Sequence, residues 1–374
     1  MSIIALSMLA LLTQGKQLPV SDPGIQLSPY NWVREASYIQ TPNPGAYLRL
    51  GFTGTSIQVK LDNVSLAGVP PNQYPLVRYS IDNGPGTTVQ LRSGSYDLEC
   101  GKGLKPGNHT LLFQYVSGYV FLDFWSPVNV VRVSGFSLDA DASTFTKSGH
   151  TRSALFLGDS ITNGDDSTAN FKDGITNAVE TQDATIGYPS VVAAATKSEY
   201  GVVAYGGASW DHTAADGHTP GLMTFWDKID KTHSRLAINK KSPYIGATSY
   251  KGSFDPIPDD IYINMGENRP PTPNNVYDLI CALEIASSFK SNIFIIVPFS
   301  GRARLPILRG YTSAAEGTGP KPRFFLLDLG DNPYLKNEGP TLMSVDGQHP
   351  LAVLHGQLGA QIVEARAKAL AKKN

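Results

Sequence analysis

Five residues between positions 160 and 349 of this chain of 374 residues carry the groups that acyl transfer requires. Ser160 is a candidate nucleophile, and His349 is the base that could remove its proton. Asp346 stands three residues before His349 and could bind the second ring nitrogen, which would fix the tautomer of the base. Attack on an ester places negative charge on the carbonyl oxygen. The backbone amides of Ser160 and Gly207, with the side-chain amide of Asn268, could bind that charge as an oxyanion hole.

The sequence around Ser160 is consistent with two local structures. Gly158-Asp159-Ser160-Ile161 follows the apolar run 154–157, an order typical of a strand, a sharp turn and a helix start. A hydroxyl at that helix start would lie beside unpaired amides and the positive end of the helix dipole. The alternative is a tight loop with an ordinary N-cap, which suits an isolated Gly-Asp-Ser better because Asp and Ser are preferred caps. The remaining residues therefore decide between the two.

Strand and helix patterns alternate in the second half of the chain. The strand candidates, which are almost continuously apolar, are 154–157, 202–205, 261–265, 293–298 and 324–327. The helical patterns are 188–197, 276–290 and 351–372. This alternation predicts a three-layer, flavodoxin-like α/β domain over residues 152–374, with a five-stranded parallel sheet. Ligands of such sheets bind beyond the carboxyl ends of the strands, which is where the candidate residues stand.

The first part of the chain has a different periodicity. Its short alternating apolar runs are 47–50, 56–61, 76–81 and 109–115. Turn sequences such as Asp82-Asn83-Gly84 separate them, and no helical stripe of useful length intervenes. The pattern predicts an all-β sandwich over residues 21–140, followed by a linker at 141–151.

The N-terminus carries an apolar stretch at 3–12, which is too short to span a bilayer but has the length of a secretory signal core. We therefore expect residues 1–20 to be a signal and N-terminal segment, and the protein to be secreted. The alternative is a buried N-terminal segment, because no Lys or Arg precedes Lys16. Two sequons, at Asn63 and Asn108, would be glycosylated on a eukaryotic secretory route.

Composition argues against several classes of partner. The chain has 31 basic and 32 acidic residues, so it has no excess of positive charge that would attract nucleic acid or anionic lipid. It has no His-x-x-x-His pair and no glycine-rich phosphate loop, and serine hydrolysis needs no cofactor or metal. Asp165 and Asp166 could suggest a cation site, but we interpret them as a solvated loop.

Cys100 and Cys281 are too few for a disulfide framework, and we favour two buried free thiols.

Together these blocks resemble the SGNH hydrolases of the GDSL esterase and lipase superfamily, which are named for Ser, Gly, Asn and His in four sequence blocks. The first block matches 158–162 and the last matches 346–350. The resemblance implies a catalytic Ser160, His349 and Asp346, with Gly207 aligned to the glycine block, for which Gly206 is the other choice. The third block, Gly266-Glu267-Asn268-Arg269, has Arg269 where the family usually has Asp.

The first part of the chain narrows the resemblance. The sequences 52–55, 79–84, 103–110 and 135–136 are similar to those of carbohydrate esterase family 2. The resemblance implies a jelly-roll domain before the SGNH domain, and removal of acetyl groups from cell-wall glycans such as xylan or mannan. It implies no protein partner. Two alternatives stay open: a glycan-binding protein with weakened or lost hydrolysis, suggested by Arg269, and a lipase or thioesterase of the same superfamily.

Aromatic residues are frequent between Ser209 and Pro258, a stretch that is long for a strand connection. They are Trp210, Trp226, Tyr244 and Tyr250. Aromatic faces stack on sugar rings, and Trp210 directly follows the glycine block, so we expect it to border the substrate. The alternative is that these side chains belong to the core. Trp125 is predicted to be buried in the sandwich.

Overall fold

The computed structural model describes residues 15–147, 149–169, 174–238, 252–317, 323–330 and 342–372. The predicted signal core at 3–12, Tyr244 and Tyr250 lie outside the described residues. Among the described helices, none is long and apolar enough to cross a membrane.

The first part of the chain forms two antiparallel sheets of six strands each. The strands of the first sheet are β1 (Lys16–Leu18), β3 (Val33–Arg34), β4 (Ile39–Thr41), β6 (Ile57–Asn63), β9 (Gly94–Gly101) and β11 (Val131–Leu138). Those of the second are β2 (Ile25–Leu27), β5 (Tyr47–Gly54), β7 (Leu76–Ile81), β8 (Thr87–Gln90), β10 (Gly107–Ser117) and β12 (Thr144–Phe145). The first has the order β3-β4-β11-β6-β9, with β1 on β11. The second has the order β12-β5-β10-β7-β8, with β2 on β5.

Alternation of apolar residues explains how the two sheets pack. In β6 the buried residues are Ile57, Val59 and Leu61, while the residues between them are partly exposed. They join Leu111 and Phe113 of β10 in one hydrophobic cluster, so each sheet buries one face against the other. The predicted antiparallel sheets over this part of the chain are confirmed. The jelly-roll connectivity stays a prediction.

The second part contains a parallel sheet of five strands. They are β13 (Arg152–Gly158), β14 (Ser198–Ala204), β17 (Asp260–Asn264), β18 (Asn292–Ile296) and β19 (Phe324–Leu327). A separate antiparallel pair consists of β15 (Leu236–Ile238) and β16 (Gly252–Phe254). The helices are α1 (Ser160–Asn163), α2 (Tyr188–Thr196), α3 (Leu222–Phe225), α4 (Pro273–Ala286), α5 (Arg304–Gly317) and α6 (Ala352–Ala371).

The five-stranded sheet has the order β14-β13-β17-β18-β19. In chain order this is 2-1-3-4-5, the flavodoxin-like arrangement, as predicted. Alternate residues of β13 enter different cores: Phe156 packs on one face with Leu354 of α6, and Leu155 packs on the other with Leu279 of α4. Because both faces are covered by helices, the strands are apolar throughout rather than alternating.

Four short strands lie outside both the predicted sandwich and the predicted strands: β15 and β16, which pair with each other, and β1 and β12. β1 belongs to the predicted N-terminal segment and pairs with β11, and β12 belongs to the predicted linker and pairs with β5. Helix α5 also escapes the sequence pattern, because Pro306 and Gly310 interrupt its apolar stripe.

The sequons and cysteines occupy different environments. Asn108 is exposed on β10, whereas Asn63 is buried and donates a hydrogen bond to the carbonyl of Arg92, which removes its amide from the surface. Both cysteines are free; Cys100 is buried as predicted, and Cys281 is only half-buried.

The two parts of the chain share a polar contact near β14. Glu199 accepts hydrogen bonds from the Tyr47 hydroxyl, from Arg49 at 2.7 Å and from the His150 amide at 3.0 Å. Burial raises the pKa of Glu199, but these hydrogen bonds lower it more, so the pKa lies below its ordinary value. Farther along the same boundary, Arg78 contacts Asp183 at 2.7 Å. The sandwich is therefore fixed to the edge of the parallel sheet.

Glu199→Gln should lower the free energy of unfolding at neutral pH by about 2 kcal/mol, since it removes a charged acceptor of several hydrogen bonds. A depressed pKa means that this stabilisation is present above the unfolded pKa and is lost as pH falls through the folded pKa. The difference between wild type and variant should therefore shrink on acidification, measured by urea denaturation.

Glu364→Gln is the matched control, because Glu364 forms an exposed pair with Lys368 on α6. It should leave the denaturation midpoint unchanged. Equal effects of the two substitutions, or a Glu199→Gln effect that does not depend on pH, would contradict the assigned role of Glu199.

Candidate active site

The register of three adjacent strands brings three of the sequence blocks to one edge of the sheet. Gly158, the last residue of β13, is aligned with Ala204 of β14 and with Asn264 of β17. Ser160 and Asn268 follow β13 and β17, and Gly207 follows β14. Because the strands are parallel, all three loops leave at the carboxyl edge, as predicted.

A close approach of main chain explains the glycine of the first block. A Cβ on Gly158 would lie 1.9 Å from Thr162 Oγ1 and 2.8 Å from the carbonyl oxygen of Asn264. Asp159 is the N-cap of α1, and its carboxylate accepts a hydrogen bond from the Ile161 amide. Ser160 is the first residue of the helix, so its backbone amide has no intrahelical acceptor.

Helix α1 is a single turn. Gly164 closes it in the left-handed conformation, with a φ of 75°, and the Asp165 amide donates to the carbonyl of Ser160 at 3.0 Å. The Ser160 residue is buried at the start of this turn. The strand, turn and helix start predicted around Ser160 are therefore present.

His349 and Asp346 form a hydrogen-bonded pair. Their side chains meet at 2.5 Å between His349 Nδ1 and Asp346 Oδ2, while Asp346 Oδ1 accepts from the amides of Gln348 at 2.8 Å and of His349 at 3.1 Å. These bonds fix the carboxylate and the ring together. His349 Nε2 is buried and has no hydrogen-bond partner in the described part of the chain. The arrangement leaves that nitrogen available to a proton donor.

The loop that carries His349 contacts the loops of two other blocks. The Ala352 amide donates to the carbonyl of Ser167 at 2.9 Å, beyond α1. Gln348 Nε2 lies 3.5 Å from Asn268 Oδ1. The histidine block therefore lies between the serine loop and the asparagine loop.

The glycine and asparagine blocks are also linked. Residues 205–208 form a turn in which the Ala208 amide donates to the carbonyl of Tyr205 at 3.1 Å, and Gly207 has a φ of 72°. A Cβ on Gly207 would lie 2.8 Å from that of Ala215. Asn268 Nδ2 donates to the carbonyl of Ala208 at 2.9 Å. Since an amide group has two hydrogens, one remains for a ligand.

The electrostatic environment of His349 favours its charged form. Burial lowers the pKa of His349, but the hydrogen bond with Asp346 and the charges of Asp165, Asp346 and Asp166 raise it more, to about 9. Burial raises the pKa of Asp346, and the hydrogen bond and charge of His349 lower it to about 2. Each group therefore stabilises the charged form of the other, and His349 becomes a neutral base only at a higher pH than an ordinary histidine.

Asp165 and Asp166 require a correction, because they do not form a solvated loop. Both are buried, and Asp165 Oδ1 accepts a hydrogen bond from Asn163 Nδ2 at 2.7 Å. Burial raises the pKa of Asp165 to about 7, although the charge of His349 and the bond from Asn163 lower it. A pair of acidic residues ordinarily indicates a surface turn, so composition alone gave no signal of this burial.

One group among the described residues has the spacing of metal ligands. Ligand atoms of Asp166, Asp346 and His349 lie within 4.8 Å of one another. Two of these side chains are already joined by the hydrogen bond of 2.5 Å, a distance that suits a shared proton rather than two ligands around an ion. We therefore interpret the group as an acid and histidine cluster.

Trp210 also requires a correction, because it lies in the core rather than beside a cleft. Its side chain is 1% exposed, and its indole N–H donates to the carbonyl of Met265 at 2.9 Å. Trp226 is buried in the same cluster, and Trp125 is buried there as well. Because the indole N–H of Trp210 has a backbone acceptor, the side chain can be fully buried without an unsatisfied donor.

An aromatic pair that the sequence did not single out, exposed Phe121 and partly buried Tyr119, lies on a loop of the sandwich. Phe121 is 51% exposed and meets Tyr119 edge to face, with ring centroids 5.6 Å apart. Between them, Val120 packs on the glycine turn, since a Cβ on Gly206 would lie 2.2 Å from Val120 Cγ2. Buried Asn129 holds this loop by donating to the carbonyl of Tyr119 at 2.9 Å. The pair therefore stands beside the glycine block.

Neither a protein-family model nor a curated protein matches this chain. Among solved structures, it is similar to a family two carbohydrate esterase from Cellvibrio japonicus, with a TM-score of 0.73 and 16% identity over 95% of this chain and 98% of that chain. It is also similar to a family two carbohydrate esterase from Clostridium thermocellum in complex with cellohexaose, with a TM-score of 0.71 and 15% identity over 93% of this chain and 99% of that chain. A third similar structure is an acetyl xylan esterase from the rumen bacterium Butyrivibrio proteoclasticus, with a TM-score of 0.71 and 16% identity over 96% of this chain and 98% of that chain. The resemblance predicted from the sequence blocks is thus confirmed at the level of fold, over nearly the whole chain.

The His349 imidazole should titrate above the ordinary pH range of histidine, and Asp346→Asn should move the transition to lower pH. The substitution removes a negative neighbour, so the charged ring is less stabilised. NMR of ¹⁵N-labelled histidine measures both transitions. His355 is an internal control, because burial and the charge of His349 lower its pKa to about 3 and it should stay neutral. A His349 transition that Asp346→Asn leaves in place would contradict the interpretation.

Proposed function

We propose that this chain, which has the fold of family two carbohydrate esterases, is a serine esterase that removes acetyl groups from glycans through an acyl-enzyme. The observation that carries the proposal is the His349 ring, which Asp346 binds at Nδ1 and whose buried Nε2 is bound by none of the described residues. Ser160 is proposed as the nucleophile, and His349 and Asp346 as the base and its orienting acid. In this arrangement a neutral imidazole, held by a carboxylate, removes the proton of a hydroxyl nucleophile.

The first step forms the acyl-enzyme. His349 Nε2 takes the proton of the Ser160 hydroxyl while the oxygen attacks the acetyl carbon, and the carbonyl electron pair moves to its oxygen. The Ser160 and Gly207 amides and the free hydrogen of Asn268 would bind that oxyanion. Collapse of the intermediate breaks the bond to the sugar oxygen, which receives the proton from Nε2. Acetyl-Ser160 and a free sugar hydroxyl remain.

Water completes the cycle by the same groups. The neutral His349 removes a proton from water, and the resulting oxygen attacks the acetyl carbon of acetyl-Ser160. The second intermediate expels the Ser160 oxygen, which regains its proton from the ring, and acetate leaves. Because the base must be neutral, a raised His349 pKa implies that the rate falls on acidification from a higher pH than for an ordinary histidine.

A glycan substrate is supported by the similar structures and by the aromatic pair. One neighbour is an acetyl xylan esterase, and another holds cellohexaose. Exposed Phe121, with partly buried Tyr119 against it, offers an aromatic ring next to the glycine block, and aromatic faces pack well on sugars. A polymeric substrate also agrees with the expectation that the protein is secreted. Xylan and mannan are both suitable acetylated substrates.

A second candidate function is glycan binding with weak hydrolysis. Arg269 motivates it, since this exposed cation follows Asn268 where the related sequence block usually has an acid. The bonds of Asn268 to the carbonyl of Ala208 and to Gln348 favour the esterase, because they orient the amide without the missing acid. A lipase or thioesterase is the remaining alternative.

The test is acetate release from acetylated xylan, acetylated mannan and a long-chain ester by the wild type and by Ser160→Ala. We expect the wild type to release acetate from the glycans, and Ser160→Ala to lose at least about 10⁴ in rate with its fold intact. Circular dichroism and cellohexaose binding report the fold of the variant. Binding without acetate release would favour the second candidate, and a fully active Ser160→Ala would exclude the proposed nucleophile.

Phe121→Ala should raise KM for acetylated polysaccharide several-fold while leaving kcat/KM for a small acetyl ester nearly unchanged. The ring would contact sugar but not the acetyl group, and stacking on an aromatic ring is worth roughly 1 kcal/mol. Phe289→Ala is the matched control, because Phe289 is 46% exposed but stands before β18, at the opposite edge of the sheet. Equal effects of the two substitutions on KM would remove Phe121 from the substrate surface.

A further inference from the structure

We infer that Asp166 is a second positioning carboxylate for His349, which holds the ring together with Asp346. The inference rests on the proposed function, since it concerns the base of that reaction. Its consequence is that two acids act on the same ring nitrogen of the base, one from its own loop and one from the serine loop. Asp166 follows α1, whereas Asp346 precedes His349.

The position of Asp166 is the first observation. Its side chain is 0% exposed, and its Oδ2 lies 3.8 Å from His349 Nδ1, the same nitrogen that Asp346 binds. Asp166 Oδ1 accepts hydrogen bonds from Thr181 Oγ1 at 2.7 Å and from the Asn177 amide at 2.8 Å. Oδ2 has no hydrogen-bond partner in the described part of the chain. One oxygen is thus anchored, and the other faces the ring.

The main chain keeps this carboxylate in place. Asp166 has a φ of 52°, a left-handed conformation that is uncommon outside glycine and persists where surrounding contacts hold it. The carbonyl of the next residue, Ser167, accepts a hydrogen bond from the Ala352 amide at the start of α6. The Ser167 hydroxyl accepts a second one from the Asp183 amide. The loop of Asp166 is therefore tied to the histidine loop and cannot turn away from it without breaking these bonds.

The two carboxylates differ in their surroundings. The Asp346 side chain is 28% exposed, so water and salt screen it, whereas Asp166 acts from a site without water contact. Asp346 makes the direct hydrogen bond. Asp166 adds charge behind it, and a small rotation of the ring would bring Nδ1–H to Oδ2 when Asp346 is absent. With both Asp346 and Asp166 present, replacing one of them still leaves His349 with an orienting carboxylate.

Other ionisable groups also act on His349. Asp165 and Asp159 contribute negative charge from the serine loop, and neutral His355 lies on α6. The charge of Asp165 raises the His349 pKa more than that of Asp166, but among the described contacts Asp166, and not Asp165, lies within ion-pair distance of Nδ1. The effect of Asp166 must therefore be separated from a general loss of negative charge.

Kinetics of the single and double substitutions test the inference. If Asp166 supports the ring, Asp346→Asn should lose about 10² in kcat/KM, and Asp346→Asn with Asp166→Asn about 10⁴. Asp166→Asn alone should shift the acidic limb of the pH profile to lower pH, because the imidazolium loses a negative neighbour. Equal losses for Asp346→Asn and the double variant, with an unmoved limb in Asp166→Asn, would overturn the inference.

A control variant and a second measurement distinguish an effect of Asp166 on His349 from a purely structural effect of Asp166. Asp183→Asn also changes a buried acid, which caps the turn at 184–186 and pairs with Arg78, and it should leave the acidic limb in place. The His349 transition in NMR should move to lower pH in Asp166→Asn but not in Asp183→Asn. This titration does not require turnover, so it tests Asp166 even if Ser160→Ala remains active and the esterase proposal fails. A transition that does not move in Asp166→Asn excludes the contact.

Discussion

The parallel pairing of β13 with β14 on one side and with β17 on the other is the constraint on which the rest of the site depends. It aligns the ends of three strands, so residues far apart in the chain begin their loops at one edge. Close contacts then fix the loops: Gly158 lets the main chain approach Thr162 and the carbonyl of Asn264, and Asn268 binds the carbonyl of Ala208. A shift of register by one residue would turn the following side chains to the other face.

Charge organises the site at a second level. His349 is surrounded by carboxylates whose own ionisation is opposed by burial, since the pKa values of Asp159 and Asp165 are both raised to about 7. The protons of such a cluster are coupled, and its titration belongs to the group rather than to one residue. Burying acids next to a base costs stability, which is common where a site is selected for chemistry rather than for folding.

Periodicity predicted most of the parallel-sheet part of the fold, because strands buried on both faces and helices with an uninterrupted apolar stripe leave strong patterns. The five strands, and helices α2, α4 and α6, lie where those patterns place them. Strands of two or three residues, such as β1 and β12, leave no periodicity and exist only through their partners. The serine, histidine and asparagine blocks were found because their residue types are specific. Trp210 and Asp166 were misjudged because burial depends on which loops pack together, which local sequence does not contain.

The contact between Val120 and the Gly206 turn has a consequence for how this architecture can diversify. A loop of the sandwich packs on the carboxyl edge of the parallel sheet, while Asn129 anchors its base and Phe124 joins the core of the second part of the chain. The aromatic tip can therefore change in length or composition without disturbing the register of the parallel sheet. Under the proposed function, substrate range and chemistry belong to different parts of the chain, so selection could alter one while conserving the other.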